Sequence, residues 1–222
     1  MKSFNEKKLV SKLDKILKKE FGTNLAFHEF SAGYGIADLV FAQNFSFKKS
    51  ILKRTPITNF NNLKILLTLE NKKTYGLSEI VGMFPQLTLP EIKKQIRLLV
   101  ANNYIEKISK DTYIKSVDEE GLNPIKKIIA IEVKLNDHKN GLIQARRYKY
   151  FADESYLAIL KEAEKNIDYT EFNKYNIGLI LFDNKTNSIE IKNPQKTNFN
   201  NECSLSLFAK EMMLNKFMRL SF

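Results

Sequence analysis

The sequence predicts an α/β protein: a sheet core flanked by helices and interrupted by a smaller, helix-rich insert. Three observations carry that expectation. The run Ile128-Ile129-Ala130-Ile131-Glu132-Val133-Lys134-Leu135-Asn136 has the apolar density of a buried strand, with no Gly or Pro until Gly141. Residues 5–21 repeat apolar side chains at helical spacing and lead through a glycine into two further strand-like runs. After Pro56 the pattern changes to short helical segments and a hairpin, which end near residue 117. Residues 1–58 and 118–222 are therefore expected to form one discontinuous core, and residues 59–117 the insert.

In chain order, the first helix takes residues 5–21, with Leu9, Leu13, Ile16 and Leu17 as its stripe and Gly22 as its stop. Glu20 continues the 9, 13, 16 series and lies on or beside the inward face. A helix-end carboxylate ordinarily turns out to solvent, but the inward phase makes Glu20 a candidate ligand. Residues 25–31 and 36–42 read as two strands joined by the Gly33-Tyr34-Gly35 turn, a hairpin. Asp38 interrupts the second strand on the face it shares with Ile36 and Val40. It is either a turn-capping residue or a functional carboxylate, since Asp is disfavoured inside strands.

Residues 44–62 read as a polar, basic linker. Residues 63–69, 77–84 and 91–102 read as three helices, the third opened by Thr88 or Leu89 near its cap with Pro90 in the first turn. Ile92, Ile96, Leu99 and Val100 are expected inward on it, and Lys93, Lys94, Gln95 and Arg97 outward. Residues 104–108 and 112–115 form a hairpin, and the acidic stretch 118–124 returns the chain to the central strand. A helix over 141–152 puts Gln144 and Tyr148 on one face and offers Arg146, Arg147 and Lys149 to a phosphate backbone. Residues 156–160 read as a strand, 161–175 as a helix, 177–182 and 188–191 as two closing strands, and 204–218 as a last amphipathic helix.

Composition narrows the function classes. A chain of 222 residues with 43% hydrophobic and 27% charged residues belongs among globular proteins. No apolar run nears the roughly 20 residues of a membrane span, so no membrane partner is expected. The N-terminal residues enter an amphipathic pattern rather than a signal peptide. Cys203 is the only cysteine, which excludes an internal disulfide or a thiolate zinc cage and suits the cytoplasm, the expected location. The net charge of +11 is uneven: residues 1–58 carry 11 Lys and Arg against 5 Asp and Glu, residues 59–117 carry 9 against 5, and the remainder 16 against 15. A basic N-terminal half points to a polyanion, most simply nucleic acid, although AT-rich coding also yields lysine-rich chains.

The central strand carries the chemistry. Glu132 and Lys134 are spaced i, i+2 and so share a face with Ile128 and Ala130, while Ile129, Ile131, Val133 and Leu135 fill the other. Two charges on a strand this apolar are costly unless partnered. They are either an ion pair on a solvated face, or a metal-ligating Glu beside a Lys that handles an attacking water. A divalent cation on oxygen ligands, beside a group that handles water, can activate that water as a nucleophile.

A first helix, a hairpin holding Asp38, the Glu132-Val133-Lys134 strand and a helix with Gln144 and Tyr148, in that order, resemble the PD-(D/E)xK nuclease superfamily over about residues 5–43 and 126–192. Ala37 stands where the motif's name has proline, a position the superfamily leaves free. The resemblance implies a restriction-endonuclease-like core, with a central mixed sheet between helices, and a metal-dependent deoxyribonuclease activity. Mg²⁺, with Mn²⁺ as the alternative, would be held by Asp38, Glu132, the Val133 carbonyl and, as a weaker match to a first-helix acid, Glu20. Asp38, Glu132, Lys134, Gln144 and Tyr148 would form the catalytic set, the last two matching the Q-x-x-x-Y signature of RecB-like branches. The insert resembles a winged helix-turn-helix domain of the MarR-like kind, on pattern rather than on a diagnostic motif. That implies double-stranded DNA as partner, met by Lys93, Lys94, Gln95 and Arg97, with Arg146 and Arg147 on the core; a homodimer is left open. Restriction, defence or recombination are the settings implied. A catalytically inactive DNA-binding regulator and a protein-docking subunit are the alternatives. His28 and His138 lack the context of a His-metal nuclease and read as surface or strand histidines. Glu29 and Asp137 read as local charges, with Glu29 near Asp38 in the hairpin.

Overall fold

Helix α1 (Glu6–Glu20) starts where the Asn5 side chain accepts the Lys8 N–H at 3.0 Å, and it buries Leu9, Leu13 and Leu17 completely. It is the first element of a computed structural model that describes residues 5–45, 54–117, 122–195 and 204–221. Cys203, residues 46–53 of the expected linker and residues 118–121 of the acidic stretch lie outside these. The chain divides into two compact units, Met1–Phe45 with Ile125–Ala209, and Ser46–Pro124 with Lys210–Phe222.

The first unit is an α/β layer structure on a six-stranded mixed sheet. Its strands are β1 (Ala26–Ser31), β2 (Ile36–Phe45), β6 (Ile125–Val133), β7 (Glu154–Leu160), β8 (Gly178–Asp183) and β9 (Ser188–Lys192), and they lie side by side in that order. β6, β7 and β8 run parallel; the other neighbours are antiparallel. Alternation assigns the faces as expected. Leu39, Phe41, Ile129, Ile131 and Val133 pack with the α1 leucines, while Leu157, Ile159, Leu179 and Leu181 face α5 (His138–Tyr148) and α6 (Tyr169–Tyr175). Gly141 allows α5 to press onto the end of β6, because a Cβ there would stand 2.9 Å from Lys134 Cγ and 2.5 Å from Leu157 Cδ1.

β6 begins three residues earlier than expected and ends at Val133, so Lys134 stands just beyond it, its N–H still donating to the Ala158 carbonyl at 2.9 Å. The single helix expected over 161–175 is a 3₁₀ segment, Lys161–Asn166, and then α6, because Asp168 caps a new start by accepting the Thr170 N–H at 2.9 Å.

The second unit holds α2 (Phe60–Thr68), β3 (Thr74–Gly76), α3 (Leu77–Met83), α4 (Leu89–Ala101), β4 (Ile105–Ser109) and β5 (Thr112–Lys115), with an antiparallel sheet in the order β3-β5-β4. α4 opens with a full capping box between Thr88 and Glu91. β3 is not foreseen by the sequence pattern because three residues carry no readable alternation. This unit also starts earlier and ends later than the expected 59–117, and a buried ion pair shows why. Glu211, on the C-terminal helix α7 (Ser204–Ser221), is fully buried and receives both terminal nitrogens of Arg54 and the Ile57 N–H at 2.8 Å. Tyr104 closes the network, accepting from Arg54 at 2.5 Å and donating to the Thr55 carbonyl at 2.6 Å. No helix among the described residues is long and apolar enough to cross a membrane.

Candidate active site

The β2–β6 ladder ends at Leu39–Ile131, and the next step along the sheet places Asp38 opposite Glu132. The strands part there. The Val133 N–H, which a longer ladder would have used, donates instead to Asp38 Oδ2 at 2.7 Å. Strand geometry turns the Val133 carbonyl toward the same edge as its N–H, so it too faces the gap. Glu132 is 1% exposed. Lys134 Nζ lies 2.7 Å from its Oε1, and the Tyr148 hydroxyl meets its Oε2. Tyr148 Oη is also 2.7 Å from the Ile36 carbonyl, an acceptor only. When the single phenolic proton goes to Ile36, the contact with Glu132 requires the carboxyl's own proton.

The electrostatics of the site set two carboxylates against one ammonium. Burial pushes the Glu132 carboxyl up, against the Lys134 and Tyr148 hydrogen bonds, and Asp38 pushes it further. Burial likewise raises Asp38, against the Val133 N–H and Lys134, with Glu6 and Glu29 adding to the rise. Lys134 loses to burial but gains more from Glu132, Glu6 and Asp38, and stays charged. One ammonium thus serves several carboxylates. Asp38, Glu132 and the Val133 carbonyl are the oxygen set a hard divalent ion takes, each carboxylate oxygen keeping a second lone pair. Among the described residues no three His, Cys, Asp or Glu side chains converge, so water would complete the coordination of such an ion, as Mg²⁺ prefers.

No protein-family model, curated protein or solved structure matches the chain. The assignment of function rests on the arrangement of these residues.

Of the residues singled out in the sequence, Asp38, Glu132, Val133, Lys134 and Tyr148 come together. Gln144 lies one turn before Tyr148 on α5 and is half-buried. Glu20 does not join them. It is exposed at the C-terminal end of α1, where the following Phe21 carbonyl accepts from Gln43 Nε2 at 2.5 Å, and Gln43 is five residues along β2 from Asp38, about 17 Å of strand. Glu20 instead borders a cleft with Lys127, Glu154 and Asn193. The acid of α1 that acts on the site is Glu6, at the helix's other end, which influences both Asp38 and Lys134. Gln95 was expected to face outward but is 8% exposed, its amide oxygen buried without a partner. It falls on the 92, 95, 96, 99 stripe that α4 turns inward, which leaves Lys93, Lys94, Arg97 and Leu98 outside. Arg146 stacks on the Tyr175 ring at 3.5 Å to its centroid, while Arg147 is exposed beside Tyr148. His28, on β1, lies 3.6 Å from Asp14 of α1, and His138 Nδ1 contacts the Asn136 carbonyl at 3.4 Å.

The raised Asp38 carboxyl has a consequence for stability. Its ordinary value is 3.8 and its folded value is higher, so the folded state holds the proton more tightly than the unfolded state. Stability is full below 3.8 and is lost as pH rises through the folded value. Asp38→Asn keeps an acceptor for the Val133 N–H and removes this loss. Melting in EDTA is expected to show the variant more stable than the parent at pH 7.5, with the gain shrinking toward pH 4. A gain independent of pH would assign it to something other than the carboxylate's charge.

Proposed function

We propose that the protein is a divalent-metal-dependent nuclease that hydrolyses phosphodiester bonds in DNA, with a restriction-endonuclease-like core of the PD-(D/E)xK type. The observation that carries this reading is the parting of β2 and β6, which sets Asp38 against the Val133 N–H and opposite Glu132 with Lys134 on the same carboxylate. A buried ion pair serving stability alone needs no second carboxylate beside it. Mg²⁺, or Mn²⁺ in its place, would neutralise developing charge and lower the pKa of a bound water. Asp38, Glu132 and the Val133 carbonyl would hold it. Lys134 would orient the attacking water from the Glu132 side, its three donors exceeding the one that Glu132 takes. Tyr148 fixes the rotamer of Glu132 between α5 and the Ile36 carbonyl. Incubating the full chain with plasmid and single-stranded circular DNA, in Mg²⁺, Mn²⁺ and EDTA, tests the activity; intact DNA in all three would refute it.

The second unit is proposed as a winged helix-turn-helix module. Its order α2-β3-α3-α4-β4-β5, its β3-β5-β4 sheet and the basic outer face of α4 support that reading. Lys93, Lys94 and Arg97 would then contact DNA phosphates. Replacing all three by alanine in the full chain is expected to lower the slope of log affinity against log salt by about 2–3, roughly 0.9 for each phosphate no longer neutralised. An unchanged slope would favour protein docking, to which the exposed Leu98 on the same face is suited.

A further inference from the structure

Two tyrosines remain at the surface beside the carboxylate site. Tyr34 sits in the β1–β2 turn between Gly33 (φ +95) and Gly35 (φ +104), a left-handed backbone that glycine adopts without strain. Tyr150 lies two residues past the end of α5. Their rings stack with centroids 4.7 Å apart and planes tilted by 35°. Tyr34 is 37% exposed, Tyr150 55%, and Ile36, two residues after Tyr34 in the chain, 61%. Tyr148 joins this surface to the chemistry, because a Cβ on Gly35 would lie 3.5 Å from its ring and its hydroxyl lies between the Ile36 carbonyl and Glu132. The exposed Arg147 stands on the same stretch of chain, directly before Tyr148 and three residues before Tyr150.

We propose that Tyr34 and Tyr150, edged by Ile36, form a stacking platform for an unpaired nucleobase next to the phosphate being cut. The inference rests on the nuclease reading and names its substrate class: DNA that is single-stranded where it enters the site. Bases inside a duplex are already stacked on their neighbours, and an aromatic platform gains nothing from them. An unpaired base exposes a π-face, and stacking on a tyrosine is tolerant of sequence. Arg147 supplies the charge that a flanking phosphate needs.

The test measures binding in EDTA, so that no cutting intervenes, of a fluorescein-labelled oligo(dT) strand and of a duplex of the same length. Tyr150→Ala is expected to weaken binding of the single strand by roughly 5- to 150-fold and leave the duplex unchanged, while Tyr150→Phe keeps the single-strand affinity. The chain has no tryptophan, so Tyr150→Trp introduces a unique reporter at the platform. Its emission is expected to be quenched by oligo(dT) and not by duplex. Equal effects of Tyr150→Ala on both probes, or Trp emission unmoved at saturating oligo(dT), would overturn the proposal. Cleavage in Mg²⁺ without a strand-selective effect refutes the platform and leaves the nuclease reading standing. A strand-selective effect in a chain that does not cleave upholds the platform and refutes the nuclease.

Discussion

Replacing Glu132 by alanine is expected to lower Mg²⁺-dependent DNA cleavage by about three orders of magnitude while leaving DNA affinity within about twofold. The loss corresponds to about 4 kcal/mol of transition-state stabilisation, the scale on which a metal-bound water and a neutralised phosphate matter. The separation of the two quantities follows from where the residue sits: at 1% exposure Glu132 offers DNA almost no surface. Lys134→Ala should behave alike, since the proposed reading gives it a water to orient rather than a docking contact, and its ammonium pairs with Glu132. Tyr148→Phe is expected to give a smaller loss of activity, because it removes only the hydroxyl that ties Glu132 to the Ile36 carbonyl. Binding by fluorescence anisotropy and cleavage rates on one plasmid substrate check all three. Affinity and activity falling in parallel would assign Glu132 a structural role instead.

Glu211→Ala is expected to be the most destabilising single change in the second unit, at about 3–5 kcal/mol, the usual penalty for leaving a buried charge alone. Arg54, whose side chain is 10% exposed, would lose its carboxylate, and the buried Ile57 N–H its acceptor. At roughly 2–4 °C per kcal/mol the melting temperature should drop by about 6–20 °C. The double replacement Arg54→Met with Glu211→Leu should recover much of that loss, because an apolar pair of similar volume avoids the desolvation altogether. Calorimetry of the two singles and the double decides it. A double variant as unstable as the sum of the singles would mean that Arg54 and Glu211 do not act as a pair.

The readable parts of the site are those set by alternation along one strand. Glu132 and Lys134 have to share a face, and the structure sets them 2.7 Å apart. Asp38 and Tyr148 are found by their order on the chain, and both reach the same carboxylate region. Glu20 is misplaced by phase alone, because helical phase gives the face of a helix and says nothing of which end meets the sheet. Direction supplies that. α1 ends beside Gln43, the far end of β2, so its first turn returns to the Asp38 end, and Glu6 is the acid that direction selects. Gln95 escapes a reading that weighs its polarity above its position on the buried stripe of α4. The limits of the second unit escape a reading of local pattern, since the Arg54–Glu211 contact joins residues 157 positions apart.

Phe45, the last residue of β2, pairs with Ile125, the first of β6. In space these strands are a hairpin; in sequence everything from Ser46 to Pro124 hangs between them. Joining the ends of a flexible loop costs only about 0.6 kcal/mol more for each doubling of its length, so a long detour adds little to the equilibrium. Its weight falls on the folding rate, where distant partners must meet before their pairing is rewarded. If the detour collapses first, its own structure shortens the effective distance between Phe45 and Ile125. The pairing that brings Asp38 opposite Glu132 should therefore form late, and refolding of the first unit should slow when the second is destabilised.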